Sequence, residues 1–94
     1  MLLARFKISG HSMAPKLDNQ DSVLASSIYY WFYDPRINDI VVFSYNKSIL
    51  IKRIVEIKNG KYFLLGDNKK DSFDGRKFGF ITRDQILGKV FYKF

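Results

Sequence analysis

The segment ISGHSMAPKL (residues 8–17) sets a serine beside a histidine, which makes Ser12 the first candidate nucleophile in the chain. A serine hydroxyl attacks a carbonyl well only when a neighbouring base takes its proton. His11 is the obvious base by position. In extended backbone, however, adjacent side chains point to opposite faces, so His11 would face away from whatever Ser12 faces. His11 is also the only histidine, which leaves a Ser-His-Asp triad, defined by geometry, without a base. Lysine is the alternative. It accepts a proton only as a neutral amine, and burial among apolar groups brings it there because desolvation disfavours the ammonium. SILIKRIVEI (residues 48–57) sets Lys52 inside an apolar run beside Ile51, Ile54 and Val55. Strand alternation leaves both a buried amine and a solvent-facing charge open for it.

A third polar segment, LLGDNKKDSFDGRKFGFI (residues 64–81), contains the turn signature Gly66-Asp67-Asn68. Asp74 and Arg76 stand two apart and share one face if the backbone is extended. Taken alone, this is a polar loop with an ion pair. The absence of cysteine excludes disulfides, thiolate metal sites and cysteine nucleophiles. One histidine makes an imidazole-based zinc site improbable. Neither a metal nor a cofactor is expected.

The elements that must position these residues read as strands. DSVLASSI (21–28), DIVVFSY (39–45), ILIKRIVEI (49–57) and KYFLLG (61–66) are short, rich in β-branched or aromatic residues, and bounded by Asn, Asp, Gly or Pro. KNGK (58–61) puts Asn-Gly between two of them, a strong hairpin signal. LGKVFYKF (87–94) reads as a closing strand. TRDQIL (82–87) is the one helical turn expected, with Thr82 as cap and Gln85 three residues on. There is no internal repeat and no linker, and 94 residues suit one domain spanning 1–94. The expected fold is mostly β: a small, coiled, antiparallel and barrel-like sheet with at most a short helical turn.

SSIYYWFYDPRIN (26–38) contains six consecutive apolar or aromatic residues, from Ile28 to Tyr33. Alternate members filling the core is one reading. The other is an exposed aromatic loop or strand edge resting on a membrane interface or a partner, a role suited to residues with an apolar body and a polar tip. Sixteen Lys and Arg against nine Asp and Glu give a formal charge of +7. The positive residues are scattered and no nucleic-acid motif accompanies them, so no nucleic-acid partner is expected. No segment approaches the roughly 20 apolar residues that span a bilayer.

Together, and in this order, the segments resemble the signal peptidase I family of serine–lysine proteases over nearly the whole chain. SGHSMAPKL is similar to the nucleophile segment, whose core is Ser-Met-x-Pro-x-Leu. DSVLASSIYYWFYDPRINDIVVFSY resembles the following segment, LIKRIV the segment with the general-base lysine, and GDNKKDSFDGRKFGFI the Gly-Asp-Asn…Ser-x-Asp-x-Arg…Gly-Phe segment. The resemblance implies the LexA-like signal peptidase fold. It implies that Ser12 attacks the scissile carbonyl, that Lys52 takes its proton, and that Ser72 orients the lysine. Asp74 and Arg76 fall on a structural ion pair beneath the site, and Asp67 on its supporting turn. The Ser12 N–H supplies one oxyanion donor. Ile8, Met13, Leu17 and Ile51 align with the walls of shallow pockets for small side chains, typically Ala, at the first and third positions before the cut. The substrate is then a pre-protein or leader peptide, and the enzyme is expected to act as a monomer.

This sequence departs from the family pattern at several positions. Gly10 stands where some members have a hydroxyl completing the oxyanion hole, so a second donor is a backbone N–H or absent. Asn38-Asp39 replaces Gly-Asp, Lys16 a common Thr, and Gly75 the serine of Ser-x-Asp-Ser-Arg. Only eleven residues precede Ser12, where family members carry a membrane-spanning helix, and no second domain is inserted between Lys52 and Gly66. In length the chain resembles short, anchorless relatives such as the proposed maturation proteases of nickel superoxide dismutase. The expected location is membrane-associated and extracytoplasmic if an anchor is missing from this chain, and otherwise cytoplasmic and soluble. Alternative readings are a soluble maturation protease for one partner, a self-cleaving domain of the SOS-repressor type, and a protease-dead binding module.

Overall fold

A computed structural model describes residues 2–70 and 73–94. The strands are β1 (Ala4–Lys7), β2 (Ser22–Ser26), β3 (Ile40–Tyr45), β4 (Ser48–Lys58), β5 (Lys61–Leu65) and β6 (Ile86–Lys93). They form one antiparallel sheet in the order β1-β2-β6-β3-β4-β5, so the mostly β expectation holds. Register shifts between Leu24 and Ala25, Val42 and Phe43, and Ile54 and Glu56 interrupt the ladders. Such irregularities increase local twist and let a small sheet coil on itself.

The apolar run of β3 is explained by burial on both faces. Ile40 packs with Ile8, Met13, Leu17 and Val23. Val41 and Phe43 pack with Tyr30, Ile54, Tyr62, Leu64, Ile81 and Ile86. Beyond β5, Ile81 covers the outer edge by exchanging two backbone hydrogen bonds with Tyr62, of 2.9 and 2.8 Å.

Strand β1 was not expected from the sequence. Its four residues alternate between half-buried and exposed, with Arg5 and Lys7 outward, so no apolar run marks them. The expected turn after Thr82 is a 3-10 helix, Arg83–Gln85, with the Thr82 N–H donating to Gln85 Oε1 at 2.9 Å. Two further single helical turns are present, α1 (Tyr29–Phe32) and α2 (Gly75–Phe78). Four residues are too few to display a 3.6-residue period.

Helix α1 replaces the strand alternation expected of the aromatic stretch with a single helical turn. Of residues 28–33, Tyr30 alone is buried, and its hydroxyl donates to Asp39 Oδ2 at 2.6 Å. Burial and this carboxylate push the Tyr30 phenol far above its ordinary pKa, keeping it a neutral donor. Trp31 and Phe32 remain 62% and 76% exposed.

Candidate active site

Ser12 lies in the connection between β1 and β2. Met13 and Leu17, buried in the core, pin this loop from beneath. A helical-type turn joins them, with the Leu17 N–H donating to Met13 O at 2.9 Å. Ala14-Pro15 is a cis peptide within it. Ser12 thus sits half-buried at the rim of the core.

Lys52 approaches from β4. It is the register partner of Val41, and cross-strand partners share a face. Its side chain therefore points with Val41 and Ile54 into the interior and is 5% exposed. Its Nζ stands 2.9 Å from Ser12 Oγ and 3.2 Å from Ile51 O. Burial pushes the Lys52 pKa down, and the Asp74 carboxylate opposes that shift. The alternation that sends Lys52 inward sends Arg53 to the other face. There Arg53 grips Asp67 through two hydrogen bonds of 2.8 Å and donates to Asn38 O at 3.0 Å. Asp67 raises the Arg53 pKa further.

The Gly66-Asp67-Asn68 turn is held at both ends and touches the serine loop. Asp74, fully buried, accepts from the Gly66 N–H at 3.0 Å. The same carboxylate accepts from Arg76 Nε and Nη2, both at 3.0 Å, and caps α2 through the Arg76 N–H at 3.1 Å. A buried carboxylate needs such partners to offset its desolvation. From this braced turn the Asn68 N–H donates to Ser12 O at 2.8 Å, and the Asp67 N–H approaches Met13 Sδ at 3.5 Å. The carboxylates that look like a polar loop in the sequence thus fix the backbone of Ser12. Gly75 fits this packing for a steric reason: a Cβ there would meet Leu64 O at 2.7 Å.

A groove of about 200 Å³ runs over Ser12 and Lys52. One wall is Phe6 to Ser9 at the end of β1, and the other is Ile49 to Ile51 on β4. Ile8, Met13 and Ile51 are among its lining residues. Leu17 is not; it is a core residue whose size fills the space under the loop. Gly10 is also outside the lining, with φ at +89° and its N–H donated to Asn19 Oδ1 at 2.9 Å. His11 turns away from Ser12 and meets Asp18 Oδ1 at 3.0 Å, both side chains exposed. Ser72 lies outside the described residues. Among those described, no group of three or more His, Cys, Asp or Glu converges as a metal site.

Arg53, Asn19 and the wall residues Phe6, Ser9, Ile49 and Leu50 are not singled out by the sequence, and Asn68 stands there only as part of a turn signature. For Arg53 a signal existed: it adjoins Lys52 in a strand, so one of the two must face each way. For Asn19 there was none, because a loop asparagine does not reveal which backbone N–H its side chain meets, and the Asn68 contact is made by its backbone N–H.

A second, more apolar groove of about 620 Å³ lies among Leu2, Leu3, Ile28, Tyr29 and Phe91, with Lys89 at its rim. Lys89 Nζ sits 4.0 Å from the Tyr29 ring centre and 3.6 Å from Asp39 Oδ1. No helix among the described residues is long and apolar enough to cross a membrane.

The sequence matches the family described as "Signal peptidase, peptidase S26" over residues 1–57 and 55–94. It is 55% identical over 38 residues to signal peptidase IB of Staphylococcus aureus, covering 40% of this chain and 20% of that protein. To the chloroplastic thylakoidal processing peptidase 1 of Arabidopsis thaliana it is 26% identical over 137 aligned positions, covering 93% of this chain and 40% of that protein. The chain thus spans between a fifth and two-fifths of the length of these curated relatives.

Proposed function

Because the chain belongs to the signal peptidase family, peptidase S26, we propose that it is a serine endopeptidase that cleaves leader or signal peptides with Ser12 and Lys52. The observation that carries this reading is the 2.9 Å contact between Ser12 Oγ and the buried Lys52 Nζ. Lys52, as a neutral amine, takes the hydroxyl proton while Ser12 Oγ bonds to the scissile carbonyl carbon. Negative charge moves to the carbonyl oxygen, where the Ser12 N–H stabilises it. Collapse breaks the carbon–nitrogen bond, and the leaving amine takes the proton from the Lys52 ammonium. Water then adds to the acyl ester with Lys52 again receiving a proton; release of the acid returns that proton to Ser12. In this scheme Ser72 orients Lys52.

The groove walls support an extended peptide as substrate. β1 is the terminal strand of the sheet. Residues 48–52 of β4 pair with β3 on one side, while pairing with β5 begins only at Arg53. Both walls therefore offer backbone groups for strand addition. A volume of about 200 Å³ between Ile8, Met13 and Ile51 suits small side chains of the Ala-x-Ala kind. The partner is a pre-protein or leader peptide, and α1 with its neighbours rests on a lipid surface, making the protein membrane-associated.

Incubation with a pre-protein carrying an Ala-x-Ala site is expected to yield a new N-terminus after the second Ala. Ser12→Ala and Lys52→Ala are each expected to abolish it while keeping the fold. Full activity in either variant would sink the dyad.

A further inference from the structure

We propose that Asn19 is a positioning residue for the nucleophile: its side-chain carbonyl holds the backbone ahead of Ser12 so that the Ser12 N–H faces the oxyanion formed in the groove. The inference rests on the reading of Ser12 as nucleophile. It starts from Gly10, whose lack of a side chain leaves the oxyanion dependent on backbone donors, and hence on backbone orientation. Gly10 is also the residue with the widest conformational freedom, and it sits in the left-handed region at φ +89°. Unrestrained, it would let the following peptide units swing.

Two consecutive residues restrain two consecutive residues here. Asn19 Oδ1 accepts the Gly10 N–H at 2.9 Å, and Asp18 Oδ1 meets His11 Nδ1 at 3.0 Å. The gripping pair is itself tied down. The Asn19 N–H donates to Asp18 Oδ1 at 2.8 Å, and the Asp18 N–H to Asp21 Oδ2 at 2.8 Å. The Ile8 N–H donates to Asp21 O at 2.7 Å, and the Gln20 N–H to Ile8 O at 2.8 Å. On the other side of the nucleophile, Ser12 O accepts from the Asn68 N–H at 2.8 Å. The peptide joining His11 to Ser12 therefore lies between two anchors. Its N–H has no acceptor among the described residues, as a donor kept for a transient charge requires.

The test compares wild type, Asn19→Ala and Asn19→Asp on a short Ala-x-Ala peptide, with thermal unfolding to confirm the fold. Asn19→Ala is expected to lower kcat about tenfold, the scale of one neutral hydrogen bond, with KM unchanged within about twofold, because the Ser12 N–H acts on charge that exists only in the transition state. Asn19→Asp keeps an acceptor in place and should retain kcat within about twofold. A peptide aldehyde gives an independent readout. Ser12 Oγ adds to its carbon, the hydroxyl proton passes to Lys52, and the former carbonyl oxygen takes the negative charge. Its inhibition constant should rise in Asn19→Ala by the same factor as kcat falls. An unchanged kcat, a loss carried by KM, an unshifted aldehyde constant, or an equal loss in Asn19→Asp would each overturn the positioning role. Failure of the underlying reading looks different: wild type would leave the peptide intact, or Ser12→Ala would still cut it.

Discussion

A lysine amine is a base only while neutral, so the pH behaviour of Lys52 connects its burial to its use. Burial moves its pKa below the ordinary 10.5, against the pull of Asp74. Cleavage should accordingly rise with pH along a limb set by that lowered value, and level off once the amine is free. The same shift bears on stability. Between the lowered pKa and 10.5 the unfolded chain binds more protons than the folded one, so stability rises with pH through that interval. Below it both states are protonated and the cost of the buried ammonium is present in full. Lys52→Met keeps the apolar stem and removes the charge. It should be more stable than wild type at pH 6 by about 1 kcal/mol, with the gap closing as pH rises. Urea midpoints at pH 6 and at a pH near the ordinary 10.5 measure this; a constant gap, or a less stable variant at pH 6, would mean the charge carries no penalty.

At the scale of elements, the site depends on where short segments touch. The turn at residues 66–68 is braced by Asp74 and Arg53 and passes that bracing to Ser12 through one backbone hydrogen bond. Gly75 lets α2 lie against β5, because even a methyl group would stand 2.7 Å from Leu64 O and 3.0 Å from Phe63. Gly75→Ala should therefore destabilise the fold by about 1–3 kcal/mol, and cleavage should fall as Asp74 is drawn off the Gly66 N–H. Denaturant unfolding with a parallel activity measurement checks both; unchanged stability would show that α2 shifts at no cost. Such contacts explain what the sequence reveals and what it hides. Strands β2 to β6 are legible because burial against a core imposes β-branched and aromatic runs. β1 is hidden because an edge strand with Arg5 and Lys7 outward imposes none, and α1 and α2 because one turn has no period. Ser12 and Lys52 stand out by their motif, but the inward turn of Lys52 rests on its pairing with Val41, a contact between strands. Leu17 passes for a pocket wall because an apolar residue in the motif looks the same whether it lines a groove or fills the core beneath it.

At the scale of the whole molecule, a net charge of +7 and one exposed aromatic face act together. Tyr30 anchors α1 to the sheet through Asp39, which leaves Trp31 and Phe32 outward on a held backbone. Leu2 and Leu3 are exposed beside Ile28 and Phe91 in the adjoining groove, with Lys89 at its rim. Apolar side chains on a rigid turn insert into a lipid interface without a further ordering cost, and the positive charge adds attraction to anionic headgroups that salt screens. The protein is expected to float with vesicles of phosphatidylcholine and phosphatidylglycerol, less so as salt rises, and weakly with phosphatidylcholine alone. Trp31→Ser with Phe32→Ser should lower the bound fraction at least several-fold. None of the groove residues over Ser12 belongs to α1, so this double variant should cleave a short soluble peptide at the wild-type rate. A pre-protein inserted in vesicles should be cut more slowly, because the enzyme no longer gathers where the substrate is. Equal flotation of the two proteins would remove the lipid role from α1, and equal loss of activity on both substrates would assign α1 to the fold instead.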